Sequence, residues 1–172
     1  MTPKKVALLR GINVGTAKAI SMADLAAVFE SLGLTSVKTV LRSGNVVFEG
    51  DVRAAELADA VESAAGVRAG VLVLGASEFR SIAGADPFLG VATDGSKSFV
   101  TFLEKRQPGL EAPDAAALAP ELIALAPDAI YQWMPNGWTQ TKVPKSFWRG
   151  VSGTVTARNR NTVEKLLALL GD

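Results

Sequence analysis

The chain has 172 residues, 48% hydrophobic and 20% charged, with a formal net charge of +1. These are globular proportions, with enough chain for one sizeable domain or two small halves. It contains no cysteine and no histidine, which excludes disulfide frameworks, thiolate nucleophiles, Ser-His-Asp triads, HExxH metal motifs and Cys- or His-based zinc sites. The near-zero charge gives no bulk signature of a nucleic-acid-binding face, and no apolar run approaches the roughly 20 residues that cross a bilayer.

In chain order, Val6 to Leu9 is a short continuous apolar run, the pattern of a strand buried on both faces. It breaks into a loop carrying Arg10, Gly11, Asn13 and Gly15. Ser21 to Asp24 forms a capping box with an acid at its fourth position, Leu25, Val28, Phe29 and Leu32 follow at helical spacing, and Gly33 ends the helix. Residues 37–41 and 46–49 read as strands joined by the tight turn Arg42-Ser43-Gly44-Asn45. Asp51 is placed to cap a second helix with Leu57, Val61 and Ala65 on its apolar face, closed by Gly66. Residues 71–74 are another apolar strand, and Ser77 is expected to cap a short helix carrying Phe79 and Ile82. The order strand, helix, strand, strand, helix, strand is the ferredoxin-like pattern, in which the first strand lies between the third and the fourth.

Residues 84–96, rich in Gly, Pro and Asp, read as a linker between a half spanning 1–83 and a second spanning 97–172. The second half opens with a strand over 98–103. A helix capped by Asp114 is expected to run through Leu118, Leu122 and Leu125, shortened or bent by Pro120. Residues 129–133 and 138–142 flank the turn signal Pro135-Asn136-Gly137 and read as a hairpin. One helical turn over 145–148 and a strand over 154–157 follow, and Asn161 to Glu164 is a second capping box opening a helix closed by Gly171. The repeated element order predicts an α+β fold of two ferredoxin-like (βαββαβ) halves in tandem, each a small antiparallel sheet with helices on one face, related by internal duplication.

This topology brings distant polar turns together. The first two strands of a ferredoxin-like half run parallel, so the loop after Leu9 and the turn at Ser43, Gly44 and Asn45 share one end of the sheet. A guanidinium beside a Gly-bearing loop of peptide N–H groups is the chemistry of an anion site. The alternative is a loop Arg paired with a nearby carboxylate and glycines that only make the turn. In the second half, Lys142 is expected to end the third strand and Arg158 the fourth, with Asn159 beside it at a helix N-terminus, where exposed N–H groups favour anions. The alternative there is a solvated cap with surface arginines.

Four segments, one of them Met22-Ala23-Asp24-Leu25, resemble a mostly bacterial family known as a domain of unknown function. Residues 8–15 are similar to its opening LLRGINVGG, 43–48 to its SGNVVF and 158–163 to its closing TRNWNTV, while Lys142 stands where the family carries a lysine after Ser or Thr. The chain departs from the pattern at Thr16, where a second glycine is usual, and at Arg160, where a tryptophan is usual. The resemblance spans nearly the whole chain. It implies two ferredoxin-like halves and no established activity.

Three functions compete. The best supported is binding of a small phosphate-bearing or otherwise anionic, nucleotide-like ligand through Arg10, Gly11, Asn13, Gly15, Ser43, Gly44, Asn45, Lys142, Arg158 and Asn159. The alternative is nucleic-acid binding, through base stacking on Phe48, Phe99, Phe102, Trp133 and Trp138, which are otherwise core rings. An enzyme using Ser43 with a lysine, or a carboxylate-bound Mg2+, has no local motif behind it. No metal or cofactor is expected. A homo-oligomer joined through Trp133, Trp138, Phe147 and Trp148 is a further reading. The N-terminus lacks the apolar core and cleavage site of a signal peptide, so a cytoplasmic location is expected.

Overall fold

The computed structural model describes residues 2–15 and 19–172. Thr16, where the sequence departs from the family's second glycine, lies outside the described residues. The chain divides into two compact units, Met1–Arg80 with Lys165–Asp172, and Ser81–Glu164. Two four-stranded antiparallel sheets with helices, in tandem, give an α+β fold of ferredoxin-like halves.

The first unit contains β1 (Lys4–Arg10), α1 (Met22–Ser31), β2 (Thr35–Val40), β3 (Asn45–Glu49), α2 (Ala54–Ala65) and β4 (Gly70–Gly75), with sheet order β2-β3-β1-β4. Ala7 and Leu9 of β1 pack with Leu25 and Phe29 of α1, Phe48 of β3, and Leu57 and Val61 of α2. Phe29 and Phe48 meet edge to face with ring centroids 5.4 Å apart. Val6 and Leu8 alternate onto the opposite face and are equally buried, which is why β1 reads as a continuous apolar run. Ser21 caps α1 by accepting from the Asp24 N–H at 3.0 Å. The last turn of the chain belongs to this unit: the Lys4 ammonium donates to Leu169 O at 3.0 Å, and Arg80 donates to Gly171 O at 2.8 Å. Cations on the last carbonyls of a helix satisfy acceptors that have no partner within it.

The second unit contains β5 (Ser98–Leu103), α4 (Ala115–Leu118), β6 (Leu122–Leu125), β7 (Ala129–Trp133), α5 (Lys145–Arg149) and β8 (Val155–Asn159), with sheet order β6-β7-β5-β8. This is the strand order of the first unit with each strand advanced by four. Leu103, Leu118, Ile130, Val143 and Phe147 form a core on one face. Two helices span the boundary between the units in sequence, α3 (Ala76–Gly84) and α6 (Arg160–Leu170). Among the described residues, no helix is long and apolar enough to cross a membrane.

Four local expectations are corrected. Asp51 does not cap α2, whose N-cap is Arg53; its carboxylate instead pairs with Lys5 at 2.5 Å. Ser77 lies within α3, which starts at Ala76. The helix expected through Leu125 stops at Leu118, and residues 122–125 are strand β6. Pro120 lacks the N–H a helix would need, and β6 pairs with β7 from Leu122↔Trp133 to Leu125↔Ile130. Finally, 138–142 is not a returning strand: Trp138–Gln140 is a single 3-10 turn.

Candidate functional site

The register sets one end of the first sheet. Leu8 lies opposite Asn45 and Arg10 opposite Gly70, so the loop after β1 and the turn before β3 meet at the same rim. The Leu9 N–H donates to Gly44 O at 2.8 Å. Asn13 then ties three segments together. Its amide donates to Arg42 O at 2.9 Å and to Ile20 O at 3.0 Å, and its carbonyl oxygen accepts the Ile20 N–H at 2.7 Å. Asn13 holds φ +53°, a conformation that asparagine adopts more readily than most residues. Gly44, at φ +93°, admits no side chain, because a Cβ there would lie 2.7 Å from Leu9 Cβ and 2.9 Å from Ile12 Cδ1. Asn45 is fully buried and donates to Val40 O at 2.8 Å and to Ser43 Oγ at 3.0 Å.

Arg10, Gly11, Asn13, Ser43, Gly44 and Asn45 thus come together on one rim, with Gly15 further along the loop. Their duties differ. The side chains of Asn13 and Asn45 hold the loop and the turn in shape, while Arg10, Gly11 and Ser43 are exposed. Ser43 Oγ accepts from Asn45, and its own O–H is left to donate. Arg42, exposed on the same turn, brings a second guanidinium that the sequence reading passed over. Its adjacency to Ser43 was the available signal.

The second unit separates the other named residues. Lys142 does not end a strand. Its N–H donates to Glu121 Oε1 at 2.5 Å and its ammonium to Ala119 O at 2.7 Å. Glu121 is buried, and its second oxygen accepts the Thr141 hydroxyl at 2.8 Å, so this carboxylate anchors the Thr141-Lys142 segment just before β6. Nothing in the sequence marks Glu121 beyond its place after Pro120. Arg158 and Asn159 end β8, on the opposite edge of the sheet from β6. Arg158 is buried and donates to Thr156 Oγ1 at 2.5 Å and Ala157 O at 2.9 Å. Burial pushes its pKa down to about 10, which leaves it charged at neutral pH. Asn159 is the cap of α6, accepting the Thr162 N–H at 3.0 Å. The cap thus lies two residues earlier than the expected box, and Glu164 instead pairs with Arg160 at 2.6 Å.

Tyr131 is the most perturbed acid of this unit. Its hydroxyl donates to Ile82 O at 2.7 Å. Burial, reinforced by Asp86 and Asp128 and opposed by Arg160, pushes its pKa up to about 12. Phe48, Phe102 and Trp133 are buried, so these rings are not exposed for stacking. Phe99 lies 5.4 Å from the exposed Trp138, which is not on a strand. Among the described residues, no group of three acidic side chains is placed to hold a metal ion.

Residues 1–131 match the model of a family described as "Protein of unknown function (DUF1697)". The chain is also similar to the solved structure of the conserved bacterial protein SP0830 from Streptococcus pneumoniae, at 23% identity and a TM-score of 0.68, covering 99% of this chain and 100% of that one. None of the curated proteins compared matches it. The likeness to the pneumococcal protein carries the fold alone. The family match covers the first sheet, its rim, β5, β6 and the start of β7, and on that match the chain belongs to the family of unknown function DUF1697.

Proposed function

We propose that the chain binds a small anionic ligand, phosphate-bearing and nucleotide-like, at the rim of the first sheet. The observation that carries this reading is the triple tie made by Asn13 to Arg42 O, Ile20 O and the Ile20 N–H. It gathers Arg10, Gly11, Arg42 and Ser43 from two distant turns into one preorganised corner. Arg10 and Arg42 supply charge, Ser43 supplies a hydroxyl donor, and the loop from Gly11 to Gly15 supplies peptide N–H groups. The side chains of Asn13 and Asn45, with the turn at Gly44, position these groups. Lys142, Arg158 and Asn159 are not part of this proposed site: Lys142 is tied to Glu121 and Ala119, Arg158 is buried, and Asn159 caps α6. The cytoplasmic location expected from the sequence belongs to the same proposal. So does an origin by internal duplication, which the shared strand order supports.

The test is an amide NMR titration with ATP and, separately, inorganic phosphate. Saturable shifts confined to Gly11, Asn13, Ser43 and Gly44 are expected, and Arg10→Gln should weaken binding about tenfold, the effect of one charge-assisted contact. Shifts that are absent at millimolar ligand, or unchanged in Arg10→Gln, refute the site.

A further inference from the structure

The hydrogen bond that closes the first rim recurs in the second unit: the Leu103 N–H donates to Asp128 O at 3.1 Å, as Leu9 does to Gly44. The segment after β5 and the β6–β7 turn therefore form the corner that the Arg10 loop and the β2–β3 turn form in the first unit. In place of the polar clamp made by Asn13, this corner holds a cavity of about 480 Å3, within the range of small-molecule sites. Leu103, Leu110, Leu125, Pro127 and Ile130 wall it, and Arg106 is the charged side chain that lines it. Arg106 is exposed, and no described residue holds its guanidinium in an ion pair.

The loop that carries Arg106 is fixed in advance. The Gln107 amide donates to Lys105 O at 2.9 Å and to Ser152 O at 2.7 Å, and its oxygen accepts the Ser152 N–H at 2.8 Å. A cation at the edge of an apolar cavity complements a molecule with one anionic head and an apolar body, and the tied loop backbone lowers the ordering cost of binding it. We infer that this cavity binds a small amphiphilic monocarboxylate, with its aliphatic or aromatic body against Leu103, Leu110 and Ile130 and its carboxylate on Arg106. The inference is independent of the anion site on the first rim and uses none of its residues.

The full chain is titrated with octanoate and with the neutral octanol, followed by amide NMR. Octanoate is expected to shift Leu103, Gln107, Leu110 and Ile130 saturably. Arg106→Gln, a substitution at an exposed position, is expected to weaken octanoate about tenfold while leaving octanol unchanged. Ala126→Trp, which fills the cavity, is expected to abolish both. No saturable shift with millimolar octanoate overturns the inference, as do shifts scattered away from the cavity or equal octanoate affinity in wild type and Arg106→Gln. None of these outcomes depends on whether phosphate or ATP binds the first rim.

Discussion

Asn13 shows how a residue type can be read correctly and its duty misjudged. Its position in a Gly-bearing loop was visible in the sequence, and its donors and acceptor suggested ligand contact. In the fold those groups meet Arg42 O, Ile20 O and the Ile20 N–H, because the loop's own carbonyls need donors that no pattern of residue types reveals. Replacing Asn13 with Ala removes all three bonds, and the loss of stability should be about 1–3 kcal/mol. Urea unfolding measures it, and amide exchange at Ile20 should accelerate in the same variant. Tyr131 gives a second test at this scale, since it is the single tyrosine in the chain. Its pKa, raised from 10.0 to about 12, means that the unfolded chain loses this proton first as the pH rises. The stability it contributes is therefore complete below pH 10 and is lost as the pH climbs from 10 through 12. Tyrosinate absorbance should titrate near 12 in the native protein and near 10 in urea. Between pH 10 and 12 the wild type should lose stability relative to Tyr131→Phe, a comparison in which the other titrating groups cancel. A native midpoint near 10 contradicts the buried hydroxyl.

Among the elements, legibility follows burial pattern. The first unit was readable because β1, β3 and β4 each carry an uninterrupted apolar run and α1 carries both its cap and its closing glycine. Residues 115–125 misled because Leu118, Leu122 and Leu125 recur at helical spacing while only Ala115–Leu118 is helix. The turn at Pro135-Asn136-Gly137 does form, with the Gly137 N–H on Met134 O at 2.8 Å. No hairpin can follow it, because β7 already has β6 on one side and β5 on the other. Turn chemistry is local, whereas the vacancy of a strand's edge depends on the whole sheet. The turn before β3 offers a sharper measurement. In Gly44→Ala the added Cβ meets Leu9 and Ile12 at φ +93°, whereas in Gly11→Ala nothing lies within 4 Å at φ +87°. Both variants bear the strain of positive φ, and Gly44→Ala bears overpacking as well. Urea unfolding should give Gly44→Ala a stability lower by about 1–3 kcal/mol, and equal stabilities would show that the corner between β1 and β3 is looser than its geometry.

For the whole molecule, the tandem arrangement could be read from the repeated element order, but the destination of the C-terminus could not. The sequence reading keeps the last helix with the second half, since it follows that half's last strand. By contacts, Lys165–Asp172 belongs to the first unit. A helical repeat of apolar residues says that a face is buried and is silent on which unit buries it. Leu166 is fully buried and Leu170 is 4% exposed, and Leu169 O and Gly171 O accept from Lys4 and Arg80. Ending the chain at Glu164 removes all of these at once. Each buried leucine is worth about 2–5 kcal/mol, so the pair alone approaches the roughly 5–15 kcal/mol that holds a typical domain. The tryptophans Trp133, Trp138 and Trp148 lie in the second unit, so their fluorescence follows that unit while far-UV circular dichroism follows both. The shortened chain should lose helical signal, and amides of β1 and β4 should lose their exchange protection. If instead it keeps the full-length melting midpoint and the exchange protection of β1 and β4, residues Lys165–Asp172 contribute nothing to the first unit.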